Sequence, residues 1–139
     1  MKTCSKCKEE KNINDFPIKG KGKLHSWCKK CKQKQRKQYQ KENPDIVKKQ
    51  TRKTKLKSNY GITVNDLEKM YANQEGKCKI CDRFISIEIN APTNIRAHVD
   101  HNHKNLAVRS LLCSFCNTGI GLFNEDVQVL QKAIDYLTI

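Results

Sequence analysis

A small α+β fold held together by bound metal is what this sequence predicts, and three observations carry the prediction. The apolar complement is thin: 37% of the 139 residues are hydrophobic and the mean hydropathy is -0.79, too little for a large core, so a small domain needs a staple. Eight cysteines supply one, falling into two sets of paired C-x-x-C knuckles. Apolar residues recur at helical spacing near 63–74 and 125–137, with strand-like alternation over 95–111 between them.

The elements follow in chain order. Between the first two knuckles lie Phe16-Pro17 and the Gly20/Gly22 stretch, which reads as a turn between two short strands. Residues 33–58 are rich in Lys, Gln and Arg, with Tyr39, Ile46, Val47 and Leu56 as the main apolar positions. Asn43-Pro44 divides this stretch, because asparagine caps helices and proline suits the first helical position. Two basic helices are expected, roughly 30–42 and 44–57. Thr63 followed by Asp66 reads as a capping box, opening a helix to about Gln74 that buries Leu67, Met70 and Tyr71. Gly76 stops it ahead of Cys78. Residues 95–111 read as two strands with a turn near 102–106. A last helix, about 125–137, puts Val127, Leu130, Ile134 and Leu137 on one stripe, which is expected to be core.

Formal net charge is +14, and it is concentrated. Residues 29–57 hold 13 Lys/Arg against 2 acidic residues, whereas residues 58–139 hold 8 basic and 9 acidic. Such a block favours a polyanion, since each Lys or Arg that neutralises a phosphate releases a condensed counterion. A solvated linker is the blander reading of the same run. Residues 1–15 are polar and lack the apolar run of a secretory signal. Nothing approaches the ~20 apolar residues of a membrane span. A soluble, cytoplasmic protein is expected, in a compartment that keeps thiols reduced and turns cysteines towards metal.

The spacing C-x2-C-x20-C-x2-C at Cys4, Cys7, Cys28 and Cys31 recurs as C-x2-C-x31-C-x2-C at Cys78, Cys81, Cys113 and Cys116. Each knuckle can present two thiolates, and two knuckles complete a tetrahedral zinc shell. A redox couple would want a thioredoxin-like context, which is missing, and disulfides would want an oxidising compartment. Four thiolates leave no open position, so both zinc sites are expected to be structural. His25 lies near the first quartet but is read as a surface or turn histidine.

Three of the four histidines fall in His98-Val99-Asp100-His101-Asn102-His103, between the halves of the second quartet. On a regular strand His98 and Asp100 share one face, Val99 and His101 the other. An imidazole can take a proton from water near neutral pH. An aspartate, joined by the amide oxygen of Asn117, can hold a hard divalent cation against a phosphate. A polar turn, or a zinc site using histidine, would account for the same residues.

At these positions the sequence resembles the phage recombination endonuclease VII family, within the HNH or His-Me-finger (ββα-metal) nucleases. The resemblance covers about residues 60–137 and rests on "YGIT", "GKCKIC", "HVDHNH", "VRSLLCSFCNTGIGLF" and "LQKAIDYL". It implies two strands and a helix clamping a catalytic ion, with Asp100 and Asn117 as its ligands and His101 as the general base. It further implies that His103 contacts phosphate or assists catalysis, that His98 orients the site, and that Arg109 supports the scissile phosphate. Cys78, Cys81, Cys113 and Cys116 match the family's structural zinc ligands. The implied ion is Mg²⁺, with Mn²⁺ an alternative; the implied partner is DNA, duplex or branched. The implied setting is the host cytoplasm if the protein is phage-encoded.

There are departures. Junction-resolving members carry a glutamate three residues after the asparagine, where this sequence has Ile120. "HKNLAVRS" stands where many relatives have a glycine-containing "HKTGKVRG". Those members also continue into a longer helical region that mediates dimerisation, which leaves a homodimer open here. The expected organisation is a zinc-ribbon-like module at 1–32, a basic helical DNA-binding segment at 33–58 and a His-Me-finger nuclease domain at 59–139. A free-standing HNH nicking or homing-type enzyme and a non-catalytic two-zinc DNA-binding protein are the alternative functions.

Overall fold

A computed structural model describes residues 1–138 and divides the chain into two compact units, Met1–Lys48 and Lys49–Ile139. The protein is a small α+β fold with two Cys4 clusters, as its composition and cysteine spacing predict.

In the first unit, strands β1 (Lys2–Thr3) and β2 (Glu10–Lys11) pair antiparallel around the first knuckle. The turn expected at Gly20/Gly22 is a single 3-10 turn, closed by a bridge between Ile18 and Leu24 rather than by full strands. Cys4, Phe16 and Cys28 form the small core, with Leu24 and Trp27 packed against it. Helix α1 (Lys29–Glu42) follows directly from Cys28 and buries none of its residues. Asn43 closes α1 and opens α2 (Pro44–Tyr60): its amide donates back to the Tyr39 carbonyl at 3.1 Å, and its own carbonyl accepts from the Val47 N–H.

The second unit is built on Leu56, Leu67, Cys78, Ile85, Leu111, Leu112 and Cys113, with Met70, Tyr71, Val99 and Ile120 packed around them. Helix α3 (Val64–Asn73) begins with the expected reciprocal cap, Thr63 accepting from the Asp66 N–H while the Asp66 carboxylate accepts from the Thr63 N–H at 2.8 Å. Gly76, at φ +69°, turns the chain out of the helix. A β-carbon there would come within 2.9 Å of the Tyr71 hydroxyl, which donates to the Ile85 carbonyl. Strands β3 (His98–His101) and β4 (Val108–Leu112) form an antiparallel hairpin, and α4 (Ser114–Leu122) starts immediately after Cys113. Strand β3 carries His98, Asp100 and His101, the turn after it carries His103, and α4 carries Asn117.

The last helix, α5 (Val127–Leu137), corrects one expectation. Its stripe is not core: Val127, Ile134 and Leu137 are 76, 55 and 80% exposed, and the helix buries no residue. Residues Asn124 and Glu125 both adopt the left-handed conformation at the end of α4, with the Glu125 N–H donating to the Ile120 carbonyl. That turn directs Glu125, rather than an apolar side chain, into the hairpin, and the core is filled by α2, α3 and the zinc knuckles without α5. No helix among the described residues is long and apolar enough to cross a membrane.

Candidate active site

Zinc geometry comes first, because it fixes everything beside it. The four sulfurs of each quartet lie within 4.8 Å of one another, and no cysteine is in a disulfide. Cys81 and Cys113 Sγ are 3.7 Å apart. Tetrahedral ligands at ~2.3 Å from zinc would stand about 3.8 Å apart, so the spacing fits a structural Cys4 zinc. Burial works against the Cys78 thiolate, but backbone N–H groups of Cys113, Cys81 and Ile80 outweigh it and lower the thiol to about 6. Burial and the crowded neighbouring thiols push Cys116 well up. Cys4 and Cys31 repeat the pattern in the first quartet, at about 6 and about 12. One thiolate is thus ready in each quartet, and a cation relieves the repulsion that opposes the rest. His25 is a half-buried turn residue whose Nδ1 accepts from the Trp27 N–H, outside the four-sulfur cluster.

Cys113 and Cys116 span the N-cap and first turn of α4, so the second quartet sets the position of Asn117. The hairpin supplies the rest. Its register slips between Val99 and His101, an irregularity that re-aims side chains locally. Strict alternation would separate Asp100 from His101. Instead His98, Asp100, His101, His103 and Asn117 all line one cavity of about 230 Å³, closed by Tyr60, Gly121 and Glu125. The His101 ring stands edge-on to Tyr60 at 5.2 Å and lies 4.9 Å from His103. His98 Nε2 is buried with no hydrogen-bond partner among the described residues, aimed at a place where a ligand or water could satisfy it.

Asp100 is nearly buried and forms a fork with Arg109: Nε donates to Oδ2 at 2.6 Å and Nη2 to Oδ1 at 3.2 Å. Nη2 also reaches the His101 carbonyl at 3.1 Å and Glu125 Oε2 at 2.9 Å. The hydrogen bond to Asp100, then that to Glu125, holds the Arg109 guanidinium charged more firmly than usual against its partial burial. Glu125 Oε1 lies 3.5 Å from His103 Nε2. Arg109 therefore faces two carboxylates.

Glu125 was not among the residues the sequence pointed to. Ile120, at the position where junction-resolving relatives carry glutamate, packs against the core, and the carboxylate comes from five residues further on. The only local signal is the pair of left-handed non-glycine residues, which a sequence does not display. The turn between the strands shows the complementary departure. Leu106 sits at φ +59° where relatives have glycine, in a loop pinned by Asn102 Oδ1 accepting from the Lys104 and Asn105 N–H groups.

Chemically, the cavity offers a carboxylate and an amide oxygen suited to a hard divalent cation, and imidazoles suited to proton transfer. Both Asp100 oxygens already accept from Arg109, but each carboxylate oxygen has a second lone-pair direction, so the donor set remains compatible with such an ion.

The sequence model of recombination endonuclease VII matches residues 53–139, and the chain belongs to that family. It is 41% identical over 85 residues to the Gene 59 protein of Mycobacterium phage D29 and 36% identical over 85 residues to the Gene 59 protein of Mycobacterium phage L5. Each match covers 60% of this chain and 48% of the relative, so the chain spans about half the length of the curated relatives it matches. Among solved structures, the ββα-Me type II restriction endonuclease Hpy99I is similar over 97% of this chain and 63% of its own, at 24% identity and a TM-score of 0.39, too loose a likeness to bear on the site.

Proposed function

We propose that this protein is a divalent-metal-dependent DNA endonuclease of the recombination endonuclease VII type, acting on duplex or branched DNA. The observation that carries the reading is the convergence of Asp100, His101 and Asn117 on one cavity beside a Cys4 cluster in a chain of that family. Asp100 and Asn117 would hold the cation, Mg²⁺ in this proposal. When bound, such an ion neutralises charge on the phosphate and on the departing oxygen. His101 takes a proton from water, whose oxygen attacks phosphorus as the bond to the 3′ oxygen breaks. Tyr60 packs edge-on against His101 and restricts its ring, while His98 Nε2 meets the site from the base of the hairpin. His103 and Arg109 would contact the phosphate, and Glu125 faces both.

The proposed organisation is a zinc module at 1–32, a basic segment at 33–58 and the nuclease domain at 59–139. Lys and Arg in 29–57 would grip phosphates, so affinity for duplex DNA should fall linearly with salt on a log–log plot. A flat salt response would remove this part of the proposal. His101→Ala should retain fold and DNA affinity while cleavage drops by ~10²–10⁴, as loss of a general base usually costs.

A second reading is favoured by one observation, the Arg109 fork that occupies both Asp100 oxygens. A two-zinc DNA-binding protein without catalysis would use that pair only for stability. It would bind DNA, ignore Mg²⁺ and tolerate Asp100→Ala in every DNA assay.

A further inference from the structure

A second hollow is lined by residues remote in sequence from those of the cavity above. It is an open groove of about 1130 Å³ in the first unit, running from the zinc module along α1. Two aromatic residues, Trp27 and Tyr39, line it together with Lys6, Lys29, Lys32 and Arg36.

The pattern is built into the helix. Lys29, Lys32, Arg36 and Tyr39 are spaced i, i+3, i+7 and i+10, which puts them on one stripe. At a rise of ~1.5 Å per residue the stripe is about 15 Å long. From Lys29 to Lys41 the helix has seven Lys/Arg and no acidic residue. Glu42, the one acid lining the groove among the described residues, accepts from the Gln38 amide at the far end.

At the other end, Trp27 packs against the Cys4/Phe16/Cys28 core, which holds its ring in place. Lys6 Nζ lies 5.3 Å from that ring's centroid, so a mobile charged head covers the face. Tyr39 is 50% exposed and packs into no core cluster.

A base-paired duplex can satisfy the lysines but keeps its base faces stacked within itself. An unpaired strand can offer phosphates and base faces together, and aromatic platforms in a basic groove suit it. We propose that this groove binds single-stranded DNA, with bases stacked on Trp27 and Tyr39 and phosphates along Lys29, Lys32 and Arg36. Lys6 leaves the Trp27 face for a neighbouring phosphate as a base arrives. The site would direct the protein to DNA with an unpaired segment. Its existence does not depend on the cleavage chemistry of the second unit.

Trp27 is the only tryptophan of the chain, so its fluorescence reports the proposed contact directly. Zinc-loaded full-length protein without added Mg²⁺ is titrated with oligo(dT) and, separately, with a blunt duplex of equal length at one salt concentration. The expected result is quenching by oligo(dT) and little quenching by the duplex. Tyr39→Ala, a change on an exposed helix face, should weaken oligo(dT) binding by about 5- to 100-fold, the usual effect of removing one stacking platform. Duplex affinity of that variant should change less than about threefold, since its phosphate contacts remain. Absence of quenching by oligo(dT), or a Tyr39→Ala effect equal on both DNAs, would overturn the proposal. Duplex binding and cleavage unaffected by that outcome would leave the nuclease reading standing.

Discussion

Arg109→Gln separates a metal site from a purely structural ion pair. In the structure the guanidinium donates to both Asp100 oxygens, at 2.6 and 3.2 Å, and to Glu125 at 2.9 Å. Breaking a fully buried pair of this kind costs about 3–5 kcal/mol, whereas exposed pairs contribute roughly 0–1 kcal/mol. Here the Asp100 side chain is 9% exposed but that of Arg109 is 39%. Solvent screening of the guanidinium therefore brings the pair down to about 1–2 kcal/mol. A divalent cation at Asp100 has to share lone pairs with Arg109 and stand close to its fixed positive charge. Removing that charge has two opposite consequences. The Mg²⁺-free protein should lose about 1–2 kcal/mol of stability. The affinity for Mg²⁺ should rise by roughly tenfold, since about 1.4 kcal/mol corresponds to one decade. Thermal melting of zinc-saturated protein against Mg²⁺ concentration reads both, because a ligand at free concentration L that binds only the folded state stabilises it by RT ln(1 + L/Kd), so the rise of Tm with Mg²⁺ gives the affinity. Glu125→Gln, which neutralises the carboxylate facing both Arg109 and His103 but leaves the Arg109–Asp100 fork in place, should shift the Mg²⁺ response less. An Arg109→Gln protein whose half-saturating Mg²⁺ is unchanged or higher would refute the reasoning and detach Asp100 from metal binding.

Other expectations concern the frame around the site. Gln74 accepts from the Leu111 N–H at 2.8 Å and donates to the Leu111 and Lys77 carbonyls at 2.9 and 2.8 Å. Gln74→Met keeps the shape but strands the N–H of a fully buried residue, so it should cost about 2–3 kcal/mol and lower Tm; an unchanged melt would contradict this. Leu106→Gly relieves a left-handed leucine and should stabilise by about 1 kcal/mol; a lower Tm would show that the Leu106 side chain contributes more than its backbone costs. For zinc, the lowered Cys4 and Cys78 thiols favour the folded, thiolate form most above the ordinary thiol value of about 9 and lose that advantage as pH falls from there through about 6, while the raised Cys31 and Cys116 must shed protons to bind. Zinc affinity, measured by competition with a chromogenic chelator, should therefore fall more than about tenfold per pH unit on acidification from 8 to 6; a flat profile would mean the thiols are not the ligands.

Much of the molecule was legible where a local rule decides. Cysteine spacing marked both quartets, and the Thr63/Asp66 cap marked the start of α3. Asn43-Pro44 marked the break between two basic helices, although Asn43 turns its side chain back to Tyr39 instead of forward. What stayed hidden depends on distance or on conformation. Periodicity identified which residues of α5 share a face, but not that nothing in the second unit's core needs that face. The contacts of Gln74 with Leu111 span 37 residues. Glu125 reaches Arg109 only through two consecutive left-handed residues, and Asp100 and His101 meet in one cavity only because the hairpin register slips between Val99 and His101. None of these has a composition or period of its own.

Cleavage by zinc-loaded protein tests the central claim most directly, using supercoiled plasmid and a synthetic four-way junction, with and without Mg²⁺, for the wild type, Asp100→Ala and His101→Ala. The account predicts Mg²⁺-dependent cleavage by the wild type that is lost in both variants while DNA binding persists, with the preferred DNA separating a nicking enzyme from a junction resolvase. Folded wild-type protein that binds DNA and cleaves neither substrate, or an Asp100→Ala variant that cleaves as well as the wild type, would contradict it.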